Sequence, residues 1–130
     1  MKKPSLRSPL GKARNHGSAK NGTGHFIHQR VTAVALIPLS LWFIASIICS
    51  ATSGNPAALQ QWLASGVHAS LLALMLFAMF YHAKLGVQVV IEDYLHCECV
   101  KMGALLANTF FMYGAAVLSI VAVLKLHLHM

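Results

Sequence analysis

Acidic side chains are nearly absent from this chain: Glu92, Asp93 and Glu98 are all it has, and charged residues of both signs make up 10% of its 130 positions. Water-soluble domains carry roughly 25% charged residues, so a soluble domain of this size is excluded. Cysteine is sparse too. Cys49, Cys97 and Cys99 fall short of the four-thiolate set of an iron–sulfur cluster, and the run His96-Cys97-Glu98-Cys99 lacks the spaced second ligand pair of a zinc site. A disulfide is not expected of thiols facing a reducing compartment. The segment ahead of the first apolar run is poor in aromatics, with Phe26 alone to stack on a base. A net charge of +7 therefore does not indicate nucleic-acid binding. No internal repeat is visible.

What is present is hydrophobic, 57% of the residues. Val31 through Ala83 holds no Asp, Glu, Lys or Arg, and neither does Met102 through Leu124. One helical crossing of the ~30 Å hydrocarbon layer takes roughly 20 apolar residues. The first run is long enough to cross twice and the second once, which predicts an all-α membrane protein with three transmembrane helices in a small bundle. The expected helices are 28–50, 66–94 and 102–124 within a membrane domain spanning 28–125. Residues 1–27 read as a basic, largely irregular tail, and 126–130, with His127 and His129, as a short solvated terminus. Pro38 can kink the first helix. Gly54, Asn55 and Pro56 form a turn, with Asn55 and Pro56 reading as the cap and first position of a short interfacial helix that holds Trp62 at headgroup level. In the third helix, Asn108 can bond across helices, and residues such as Gly103, Ala104 and Ala116 permit close contact.

Seven of the ten Lys and Arg (Lys2, Lys3, Arg7, Lys12, Arg14, Lys20 and Arg30) precede the first apolar run. Cations close to a span stay on the cytoplasmic side, so the N-terminus is expected there, with 51–65 outside and Lys101 back inside. The apolar run after Arg30 exceeds the about 7–15 residues of a secretory signal. Pro4, Pro9, Gly11 and Gly17 interrupt any amphipathic transit helix. The tail is expected to be retained.

His82 lies near mid-membrane, ~18 Å from Tyr94 and ~21 Å from His68 at ~1.5 Å per residue. An ionisable group at that depth is costly unless paired or ligated. It is either a ligand, imidazole being a good one for iron, or a buried histidine bonded to a neighbouring helix. Ala78 and Gly86, one turn to either side, are small enough to admit a flat macrocycle. Asp93 is rotated from His82 by only ~20°, so both project from one helix face. Asp93 and Tyr94 can hydrogen-bond a quinone carbonyl, or be a solvated acid beside a belt aromatic.

The stretch His82-Ala-Lys-Leu-Gly-Val-Gln-Val-Val-Ile-Glu-Asp-Tyr94 closely resembles the second helix of the smaller hydrophobic anchor subunit of succinate dehydrogenase, respiratory complex II. The family's recurring residues are matched by His82, Gly86, Gln88, Asp93 and Tyr94, and Gly-Thr-Gly-His-Phe-Ile-His-Gln-Arg-Val-Thr-Ala33 looks like its opening to helix one. The resemblance implies a bundle completed by a larger cytochrome b anchor subunit, with iron–sulfur and flavoprotein subunits delivering electrons from succinate. His82 would be one of two axial ligands of a haem b, the other coming from the larger anchor. Arg30 would pair with a haem propionate. The family's propionate-contacting histidine stands one position further upstream than His25, the nearest equivalent here, while His28 lies on a different helical face. Tyr94 would hydrogen-bond ubiquinone, and Asp93 would support that site through water or a partner's arginine. The chain itself would have no independent activity. The setting implied is the bacterial cytoplasmic membrane, or alternatively the mitochondrial inner membrane. Rival readings are an anchor of fumarate reductase or another b-type cytochrome complex, and a purely structural anchor.

Overall fold

The computed structural model describes residues 20–129. Most of the basic tail, 1–19, and Met130 lie outside the described residues. Four helices follow one another: α1, Lys20–Thr52; α2, Ala58–Ala64; α3, Gly66–Tyr94; and α4, Glu98–Leu128. Among the described residues α1, α3 and α4 are long and apolar enough to cross a membrane. At ~1.5 Å per residue each exceeds the ~30 Å hydrocarbon layer, so their ends reach the headgroups or the spans tilt. The protein is an integral membrane protein.

Two spans begin earlier than the apolar runs do. α1 starts at Lys20, so 20–27 is helical rather than irregular, and α4 starts at Glu98, which takes Cys99 out of the connecting loop. The backbone gains its hydrogen bonds from helix in the headgroup layer as well as in lipid, and local pairs favour it there. Arg30 lies over the Phe26 ring one turn away at 4.4 Å. Glu98 sits in the first turn of α4 and Lys125 and His127 in its last, each where the helix dipole favours that charge.

The connections are short and well bonded. Gly54 has φ of 66°, in the left-handed region that favours glycine, and it ends the chain's exit from α1. α2 starts two residues later than an Asn55 cap and Pro56 first position predict, with Ala57 at its N-cap, and Asn55 acts in the preceding turn instead. Its side-chain oxygen accepts from the Ala57 N–H at 3.0 Å and its carbonyl from the Ala58 N–H at 3.0 Å, so it closes the turn before α2, which has no side-chain cap of its own. Three residues join α3 to α4, and Lys101 Nζ reaches back to donate to the Glu92 carbonyl at 3.1 Å.

α3 is the middle of the array: α1 and α4 both pack on it and not on each other. Buried apolar residues are few and mostly small, namely Leu63 on α2, Ala69, Ala78 and Leu85 on α3, and Ala116 and Val123 on α4. Small residues let helices approach closely in lipid, where packing and not water exclusion drives association. The buried Asn108 donates to the Lys84 carbonyl at 3.0 Å, the cross-helix bond expected of it. Gly103, Ala107 and Gly114 remain exposed. His127 is not a free terminal side chain. It is half-buried, with Nδ1 2.9 Å from the Leu63 carbonyl, because α4 continues to Leu128 and carries it alongside α2.

Candidate functional site

α3 carries His82, Asp93 and Tyr94 on one unbroken helix, so their angular relation is that of the regular helical repeat. His82 is half-buried against α1. Its Nδ1 lies 3.0 Å from Thr32 Oγ1, which is also 2.9 Å from the His28 carbonyl and 3.0 Å from the Gln29 carbonyl of its own helix. The bond expected of a structural histidine is thus present, and it occupies one ring nitrogen only. Around it, the His28 ring meets Tyr81 edge-on at 6.1 Å, and Tyr81 stacks on Phe77 at 6.1 Å.

The two small neighbours of His82 differ. Ala78 is 7% exposed, so the chain's own atoms cover it and leave no room there for a macrocycle, contrary to expectation. At Gly86 an added Cβ would meet nothing nearer than Gln29 Nε2 at 3.9 Å, an ordinary contact distance. The chain's own packing does not require a glycine there.

His25 and Arg30 are exposed, and among the described residues neither hydrogen-bonds His82, whose partner is Thr32. Arg30 stands about 200° round α1 from Thr32, the residue that faces the imidazole. Its guanidinium rests on Phe26 instead.

At the far end of α3, Asp93 and Tyr94 are exposed, Tyr94 to 77%. Glu92 is engaged otherwise, its Oε1 accepting from Gln88 Nε2 at 2.9 Å. Lys84 sits beneath the opposite face of α3 from His82, its Nζ 5.9 Å from the Tyr81 ring centroid and 5.4 Å from that of Tyr113.

Sequence reasoning did not single out Thr32 or the aromatic slab at the other end of the array. There Trp62 stacks on His68 at 5.1 Å and on Trp42 at 5.6 Å, beside an open pocket of about 600 Å³ that Cys49, Ser50 and Gln61 also line. Both arrangements join residues of different helices, and helix rotation leaves no mark in a single sequence. The three cysteines are free and exposed.

Three membrane-crossing helices in an open row, with one imidazole deep on the middle helix and a carboxylate and phenol at its end, define a small membrane-anchor subunit. Residues 4–123 match the family described as the succinate dehydrogenase/fumarate reductase transmembrane subunit, and the chain belongs to that family. The succinate dehydrogenase hydrophobic membrane anchor subunit of Rickettsia bellii is 35% identical over 118 residues, which is 91% of this chain and 94% of that one. The subunits of the same description from Rickettsia conorii and Rickettsia prowazekii are each 29% identical, over 90% and 91% of this chain and 93% and 94% of theirs.

Proposed function

We propose that the chain is the small hydrophobic anchor of a succinate dehydrogenase, that His82 supplies one axial ligand of a haem b, and that Asp93 and Tyr94 form part of a ubiquinone-reduction site. The observation that carries this reading is the state of His82: a half-buried imidazole at membrane depth whose Nδ1 is bonded to Thr32, while Nε2 has no hydrogen-bond partner among the described residues. Among those residues no three His, Cys, Asp or Glu side chains gather as a metal site. One imidazole beside a glycine that the chain's own packing does not require fits an axial haem position shared with a second subunit, and does not fit a bare ion held by this chain alone. The haem would supply a one-electron redox centre.

The remaining roles belong to this chain's side chains. The Tyr94 phenol donates a hydrogen bond to a quinone carbonyl, which orients the ring and polarises it toward reduction. Asp93, one residue away at a water-accessible edge, relays protons, since quinone reduction consumes two of them with two electrons. The high exposure of Tyr94 suits a pocket whose other walls come from neighbouring subunits. Arg30 offers a cation to a haem propionate on leaving its place over Phe26, and His25, further toward the N-terminus of α1, is a second candidate for that contact. The larger cytochrome b anchor provides the other axial histidine, and the iron–sulfur and flavoprotein subunits bring electrons from succinate. The Tyr94 end of α3 faces the cytoplasmic side of the cytoplasmic (inner) membrane in this reading, which the cations Lys101 and those near the N-terminus support.

The test is His82→Ala in the complex purified in mild detergent. A reduced-minus-oxidised spectrum should lose the b-type band. An unchanged band per flavin would remove His82 from the ligand set. Succinate-driven reduction of a ubiquinone analogue separates this reading from a fumarate-reductase anchor.

A further inference from the structure

The hydroxyl of Thr32 has one hydrogen and three neighbours to share it with. Two are backbone carbonyl oxygens, of His28 at 2.9 Å and Gln29 at 3.0 Å, and the third is His82 Nδ1 at 3.0 Å. Carbonyl oxygens only accept, whereas an imidazole nitrogen donates or accepts according to tautomer. Were the hydroxyl to donate to Nδ1, its oxygen would face both carbonyl oxygens at hydrogen-bond distance with no hydrogen between them. The proton of His82 would then sit on Nε2, which has no acceptor among the described residues. The reverse arrangement leaves the hydroxyl, both carbonyls and Nδ1 in compatible roles, with Nε2 the one acceptor without a donor. The hydroxyl donates to the turn below it, as threonines in helices do, and its lone pair accepts the Nδ1–H of His82.

We propose that Thr32 is a positioning residue that fixes the tautomer and the ring plane of His82, holding the proton on Nδ1 so that Nε2 presents a bare lone pair. This rests on the reading of His82 as a haem ligand and adds what makes it one. A metal-bound histidine commonly donates its second nitrogen's proton to a fixed acceptor, which orients the ring and raises its basicity. Here the acceptor belongs to a different span, so the bond also sets the rotation of α3 against α1. The acceptor is neutral and itself held by two carbonyls, which keeps it from turning its hydrogen toward the ring.

Three variants of the whole complex separate the possibilities: Thr32→Val, which keeps the branched shape and removes the acceptor, Thr32→Ser, which restores it, and His82→Ala. Expected for Thr32→Val is a shift of the low-spin haem signal in electron paramagnetic resonance and a fall in haem retention against a competing apo-haemoprotein of about tenfold, the lower end for loss of such a partner. Thr32→Ser should return both to the unmodified values. If His82→Ala loses the b-type band while Thr32→Val keeps both the unmodified signal and retention, the positioning role is refuted and the ligand assignment stands. If His82→Ala keeps the band, both fall. The unmodified complex offers a check that needs no variant. Electron–nuclear double resonance on ¹⁵N-histidine-labelled material should find the iron-bound nitrogen to be Nε2, with an exchangeable proton on Nδ1. Ligation through Nδ1 would overturn the inference even if Thr32→Val failed to assemble.

Discussion

The two long helices flanking α3 serve it in opposite ways. α4 gives the interior Asn108, Ala116 and Val123, whereas the most apolar stretch of α1 has no buried residue. Along α4 the contact includes the buried Ala116, Val123 in an apolar cluster with Ala69, Leu72 and Leu76 of α3, and one amide aimed at a carbonyl. Along α1 it is made of a hydroxyl, an imidazole and aromatic edges. A seam of apolar side chains holds two helices at a fixed spacing and offers a ligand nothing. A polar seam with no buried residue from α1 is less tightly packed and can offer a nitrogen to a partner. The fold is concentrated on one side of α3 and the candidate chemistry on the other.

That contrast can be broken by experiment. The largest effect expected is at Ala116, 4% exposed: Ala116→Leu should cost about 1–3 kcal/mol through overpacking, read as a lower midpoint of denaturation in mixed detergent, with the haem spectrum of the surviving complex unchanged. A spectral change at equal assembly would mean that the two sides are coupled. Tyr94→Phe should do the converse. It leaves the denaturation midpoint alone and lowers quinone reductase kcat/KM by the worth of one hydrogen bond, about 0.5–1.5 kcal/mol, and unaltered kinetics would take the phenol out of the site. Asn108→Leu should be the mildest, near 0.6 kcal/mol, the average for interhelical hydrogen bonds in lipid. A loss of several kcal/mol there would show that the amide and not the apolar packing organises the α3–α4 side.

The limits of α3 were legible in the sequence. Gly66 opens it, Asp93 and Tyr94 close it, and the shared face of His82 and Asp93 follows from a helical repeat that nothing interrupts. The starts of α1 and α4 were not, because absence of charge marks the lipid layer and not the hydrogen-bonded helix, which continues through Lys20–Ile27 and Glu98–Lys101. His127 was misjudged for the same reason. For the site, residues on one helix could be related to one another, but Thr32, Arg30 and His25 could not be related to His82. Which face of α1 meets α3 depends on the rotation of two helices packed together. Ala78 illustrates the limit, since a small residue next to a histidine can equally be covered by the chain itself.

The ammonium of Lys101 on the Glu92 carbonyl works as a depth stop. A helix end in the headgroup layer ordinarily frays and lets its last side chains wander along the bilayer normal. Here the following span grips the last turn, two residues from the phenol, and restrains the height of the helix end above the lipid tails. If Tyr94 serves the proposed quinone site, a long-tailed substrate arriving from the hydrocarbon would meet its hydrogen-bond donor at one level, set by a clasp that never touches it.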